Sequence, residues 1–92
     1  IGNNIITSHT LEKNMPEYNR RKSLSEMTAG EEATVLDFLG GRMINRRLTS
    51  LGFTPGVQVS MIQNYKHGPL IVSVRGARVA LGRGEAAKII VS

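Results

Sequence analysis

From residue 24 onward the apolar positions of this chain fall into short alternating runs broken by glycine and proline, with one stretch of helical spacing among them. Ala33-Thr34-Val35-Leu36-Asp37-Phe38 has strand-forming composition, but its alternation breaks at Asp37, which predicts a bend or bulge before Gly40-Gly41 ends the run. Leu24 and Met27 precede it at a spacing suited to closing over a core, and Gly30 supplies a turn. Ile44, Leu48 and Leu51 then recur at i, i+4 and i+7, with Arg42, Arg46 and Ser50 on the other face, so this segment reads as a helix. Gly52 stands where a left-handed residue ends a helix, and Phe53 follows as the apolar residue that packs back on Leu48 in a Schellman ending. Thr54-Pro55-Gly56-Val57 has the chemistry of a type II turn, since proline presets the first central φ and glycine accepts a positive second one.

Beyond that turn the pattern predicts strands at Val57–Ile62, Leu70–Val74, Val79–Leu81 and Lys88–Val91, with a single helical turn at Glu85-Ala86-Ala87 before the last. Val57, Val59 and Met61 share one face of their strand, as do Leu70, Val72 and Val74. About five short strands joined by tight turns are too few for a two-layer sandwich. They fit a mainly β fold: a small, strongly bent barrel of the SH3-like kind, with one helix between the first two strands.

Residues 1–23 differ in character, being polar and Asn-rich without helical or strand periodicity, and are read as a flexible N-terminal tail before a domain spanning 24–92. Met15 precedes Pro16, and residues 1–14 are set aside from the fold as an upstream extension or an artificial addition. The run Arg20-Arg21-Lys22 is read as solvated linker rather than as a phosphate or lipid site. No segment reaches the roughly 18 apolar residues of a membrane-spanning helix, and the expectation is a soluble, cytoplasmic protein without membrane insertion.

Composition narrows the chemistry. A domain of this size buries only about 60% of its unfolded surface, which leaves little room for a reactive cleft. The 92 residues include no cysteine, and the two histidines, His9 and His67, stand far apart with no second ligand at metal-binding spacing. Gly82-Arg83-Gly84-Glu85 is neither a dinucleotide fingerprint nor a P-loop, and reads as a strand-to-turn connection. Glu26, Glu31, Glu32, Asp37 and Glu85 show no pairing that would tune a catalytic acid and base. The expectation is therefore a binding protein with no catalytic, cofactor or metal site. The net charge of +5 is modest, and it makes an acidic protein surface as plausible a partner as a phosphate backbone. Arg42, Arg46 and Arg47, with Arg75, Arg78 and Arg83, either converge on a basic face or merely keep the domain soluble.

The order Leu24-Ser25-Glu26-Met27, Gly30-Glu31, Gly40-Gly41, Arg47 to Gly56, Gly68-Pro69, Gly76, Leu81 and Glu85-Ala86-Ala87-Lys88-Ile89 resembles the FeoA family, small cytoplasmic accessory proteins of bacterial ferrous iron uptake. The most specific piece is Arg-Leu-x-x-Leu-Gly-Phe-x-Pro-Gly, from Arg47 to Gly56. The resemblance implies an SH3-like barrel that docks on the cytosolic part of the membrane transporter FeoB, at the inner face of the membrane, and it brings a family-level association with transition metal ions. The fold also resembles the C-terminal domain of DtxR-type iron-dependent repressors, and a nucleic-acid-binding small barrel is the competing function, although the charge and aromatic content disfavour nucleic acid. On this reading Leu48, Leu51, Gly52, Phe53, Pro55 and Gly56 specify structure. Arg42, Arg46, Thr49 and Ser50 are the candidate protein contacts, and open strand edges leave room for a homo-oligomer.

Overall fold

The strand Glu32–Phe38 changes partner half-way along its length. The computed structural model describes residues 20–92, and their elements run β1 (Lys22–Ser23), a 3-10 turn (Leu24–Glu26), β2 (Glu32–Phe38), α1 (Arg42–Ser50), β3 (Gln58–Gln63), β4 (Leu70–Val74), β5 (Ala77–Leu81), α2 (Arg83–Ala86) and β6 (Ile89–Val91). Glu32 to Thr34 of β2 pair with β3, whereas Val35 to Phe38 pair with β6. The register on β6 slips between Val35 and Asp37, leaving Leu36 as the extra residue of a bulge. This is the bend that the broken alternation predicts, because one added residue exchanges the inward and outward faces. A second slip lies between Met61 and Gln63, where β3 meets β4.

All pairings are antiparallel, and the strand order is β1-β6-β2-β3-β4-β5. The bulges bend this sheet into the small barrel expected, with α1 between β2 and β3 and the short α2 before β6. Among the described residues six strands replace the five expected. The added one, β1, has two residues pairing Lys22 with Val91 and Ser23 with Ile90, too short a span for any periodicity to show. Of the segment read as a tail, residues 1–19 lie outside the described residues. Strand bounds otherwise shift by a residue or two: β3 begins at Gln58, β5 at Ala77 and β6 at Ile89.

The core is wholly apolar. Leu24, Met27, Val35, Leu48, Phe53, Leu70, Val72, Leu81, Ile89 and Val91 are all fully buried, and no polar or charged side chain among the described residues is. Alternation delivers it: Val59 and Met61 point inward from β3, and Leu70, Val72 and Val74 from β4.

The end of α1 follows its sequence signals. Gly52 adopts φ 105°, its N–H donates to Thr49 O at 3.0 Å, and the Phe53 N–H donates to Leu48 O at 3.0 Å, the paired bonds of a Schellman ending. Phe53 is thereby turned into the core, while Ile44 and Leu51 pack half-buried against it. The Val57 N–H donates to Thr54 O at 3.0 Å with Gly56 at φ 92°, closing the type II turn. That turn docks on β2: the Gly56 N–H donates to Val35 O at 2.8 Å, and the Val35 N–H to Val57 O at 2.9 Å.

One ion pair ties β1 to the segment leading into β2. The Lys22 ammonium lies 2.6 Å from Glu31 Oε2, and the Thr28 N–H and hydroxyl both donate to Glu31 Oε1 at 2.8 Å. Burial pushes the Glu31 carboxyl up, but Lys22 and the two Thr28 donors together outweigh it and hold the carboxyl below its ordinary value of 4.5.

Two outcomes are expected. Leu48→Ala removes a fully buried side chain and lowers the unfolding free energy in urea by about 2–5 kcal/mol, a large part of the total for so small a domain. Because the folded state depresses the Glu31 pKa, its contribution is present above the unfolded value near 4.5 and is lost as pH falls through the lower folded value. Thermal melts of wild type and Glu31→Gln therefore differ at about pH 6 and converge toward about pH 3; a constant difference across that range would rule this contribution out.

Candidate interaction surface

The outward face of α1 is placed by the corner that precedes it. The Leu39 N–H donates to Lys88 O at 2.8 Å, fixing the chain beside β6 as it leaves β2. A Cβ on Gly40 would stand 2.7 Å from Ile44 Cγ2, so only glycine lets the corner approach the inward side of the helix this closely. With Ile44 and Leu48 turned inward, Arg42, Met43, Arg46, Thr49 and Ser50 are all left exposed. All four predicted contact residues are thus on the surface of one helix. Met43, 85% exposed, and Leu39, 66% exposed, add apolar area that periodicity does not single out, because an exposed methionine inside a helical pattern looks like any other apolar residue.

The charge on this helix has one sign. It carries Arg42, Arg46 and Arg47 and no acidic residue, its N-cap Gly41 offers no side-chain acceptor, and Arg42 occupies the first helical position. Unpaired amides and the positive end of the helix dipole disfavour a cation there. Arg47 is compensated, since its guanidinium pairs with Glu85 on α2. The Arg47 hydrogen bond is the main cause that holds the Glu85 carboxyl below its ordinary range, with burial opposing and the Gly82 N–H assisting. The Arg42 and Arg46 side chains have no hydrogen-bond or ion-pair partner among the described residues. The Ser50 hydroxyl donates to Arg47 O at 2.8 Å, whereas the Thr49 hydroxyl has no partner among the described residues.

The six arginines weighed as a basic face are divided by the fold. Besides Arg47, Arg75 donates to Gly52 O at 3.4 Å and to Thr54 Oγ1 at 3.0 Å, holding the β4–β5 hairpin against the end of α1. Arg83 donates to Asn64 Oδ1 at 3.0 Å, Gly68 O at 3.3 Å and Ser25 O at 3.4 Å, joining three segments distant in sequence. Arg42, Arg46 and Arg78 remain without partners among the described residues. No local spacing could have shown this split, because Arg83 and Ser25 lie 58 residues apart.

Gly82-Arg83-Gly84-Glu85 serves as a connection. The Gly82 N–H donates to Glu85 Oε1 at 3.3 Å, so the chain's own carboxylate sits where an anion would. Among the described residues no group of three or more His, Cys, Asp or Glu is placed to hold a metal ion, and no helix is long and apolar enough to cross a membrane. His67 is exposed on the β3–β4 loop, and His9 lies outside the described residues.

Comparison with known proteins agrees with this architecture. The FeoA domain model matches residues 22–92. A candidate Fe(2+) transport protein A of Methanocaldococcus jannaschii is 40% identical over 62 residues, which cover 67% of this chain and 74% of that protein. A crystal structure of an iron uptake regulatory protein, FeoA, superposes with a TM-score of 0.75 at 38% identity, covering 77% of this chain and 95% of that one. FeoA of Stenotrophomonas maltophilia, crystallised with zinc and described as a prokaryotic SH3 domain protein, gives a TM-score of 0.66 at 35% identity, covering 76% of this chain and 88% of the other. Fold, helix ending and sequence match over residues 22–92 agree, and the chain belongs to the FeoA domain family.

Proposed function

We propose that this chain is a non-enzymatic, cytoplasmic accessory protein of ferrous iron uptake that acts by binding the cytosolic part of a FeoB-type transporter through the outward face of α1. Family membership supports the iron-uptake role. The observation that carries the contact is the pair Arg42 and Arg46, two exposed guanidiniums one helical turn apart with no partner among the described residues, beside the exposed Met43. Arginine in the desolvated centre of an interface is a frequent source of affinity, and an apolar neighbour excludes water around it. Thr49 and Ser50 extend the same surface. The protein then sits at the inner face of the membrane only through the transporter. The outer edges of β1 and β5, each without a neighbouring strand among the described residues, supply surfaces for a homo-oligomer.

Reversing both charges separates binding from folding. An acidic residue at the first helical position suits the dipole better than arginine does, so Arg42→Glu/Arg46→Glu should melt at or above the wild-type temperature. Its affinity for the purified cytosolic part of the transporter, measured by calorimetry with and without guanine nucleotide, should fall at least tenfold, or about 1.4 kcal/mol. Undiminished binding by a folded double variant would exclude this face.

A further inference from the structure

Two residues other than glycine hold left-handed backbone among the described residues, Lys66 at φ 68° and Arg75 at φ 51°. Steric crowding of Cβ disfavours that region for any L-residue, and less so for asparagine, whose short polar side chain bonds locally. Arg75 has an internal reason to be there. It forms the two-residue β4–β5 turn with Gly76 at φ 81°, and its guanidinium reaches Gly52 and Thr54 from that position. The Lys66 side chain has no such role: it is exposed, with no partner among the described residues, and only the backbone N–H is held, donating to Asn64 Oδ1 at 3.0 Å.

The loop that carries Lys66 is longer than its connection requires and is held more firmly than a solvated link needs. Residues 64–69 join two antiparallel strands that two residues could join. The Asn64 carboxamide donates to Ser25 O at 3.0 Å and Met27 O at 2.8 Å, and accepts from the Lys66 N–H and from Arg83, each at 3.0 Å. All its donors and acceptors are therefore engaged. Arg83 also binds Gly68 O, so one guanidinium braces both ends of the loop. The braced loop holds Tyr65 74% exposed, with Lys66 and His67 beside it in solvent, and no side chain of the three makes a hydrogen bond or ion pair within the described residues. Ile62, 38% exposed, lies at the bulge of β3 just before the loop.

A rigid loop that presents an aromatic ring and a cation loses little conformational entropy on binding. The loop carries no acidic residue, so its complement is anionic. We propose that the Tyr65-Lys66-His67 tip is a second docking surface, which takes an acidic segment of a protein partner: Lys66 meets a carboxylate and the Tyr65 ring covers an apolar neighbour. The backbone strain at Lys66 is retained because the ammonium is needed at that point in space. The inference rests on the proposed function in taking the cytosolic part of the FeoB-type transporter as the partner, gripped at α1 and again at this tip.

Lys66→Asn tests it, because asparagine tolerates the left-handed backbone and removes the charge. The variant should melt about 2–4 °C higher than wild type and bind the transporter's cytosolic part about tenfold more weakly. Tyr65→Ser should lose a similar factor with an unchanged melt. If both variants bind as wild type does while Arg42→Glu/Arg46→Glu fails, the tip is not a docking surface and the α1 reading stands. If wild type itself does not bind, the proposed function falls and this inference with it. A lower melting temperature for Lys66→Asn would show that the lysine is structural and overturn the strain argument. Sedimentation with phosphatidylglycerol vesicles that Lys66→Asn abolishes would assign the tip to a lipid surface and overturn the protein partner.

Discussion

The fold depends on how the backbone of Val35 is satisfied. At this residue β2 leaves one neighbour for the other, and a strand that changes partners strands its own N–H and C=O unless something else meets them. The type II turn after α1 does so, with Gly56 donating to Val35 O and Val35 donating to Val57 O. Two bonds therefore fix where the turn sits. Because Phe53 and Leu48 are buried immediately upstream, they also fix where α1 lies on the barrel. The outward face of the helix is a consequence of this arrangement.

The elements closest to local chemistry were legible in the sequence. The Schellman ending and the type II turn each need particular residues within six positions, and both appear as read. The bulge in β2 was legible as a broken alternation at Asp37, since an extra residue in a half-buried strand must disturb period two. Illegible were features that exist only once distant segments meet. Lys22 and Ser23 form a strand because β6 offers an edge, and no property of two residues announces that. Asn64 and Arg83 look like ordinary polar loop and turn residues until Ser25 and Gly68 are brought between them.

For the candidate site the same limit took another form. All four predicted contacts on α1 are exposed, as a 3.6-residue period dictates once Ile44 and Leu48 face inward. Which arginines remain available could not be read, because that depends on where Glu85, Thr54 and Asn64 arrive. The short α2 is decisive here. Glu85 takes Arg47 out of the exposed charge of α1, while Arg83, two residues earlier, braces the β3–β4 loop. One helical turn thus neutralises Arg47 and, among the described residues, leaves Arg42 and Arg46 uncompensated.

The same division runs through the helix-and-turn motif. Within Arg-Leu-x-x-Leu-Gly-Phe-x-Pro-Gly, nearly every specified residue has a task inside the domain. Arg47 pairs with Glu85, Leu48 and Phe53 are buried, Leu51 packs against the core, and Gly52 and Gly56 hold positive φ. Proline at 55 presets the turn. Of the unspecified positions, Thr54 accepts a hydrogen bond from Arg75, but Thr49 and Ser50 are exposed on the helix. The motif residues are tied into the barrel by packing, positive φ or an ion pair, whereas the α1 contacts proposed for a partner are all exposed. Substitutions on this outward face therefore leave untouched the bonds at Val35 that hold the helix in place.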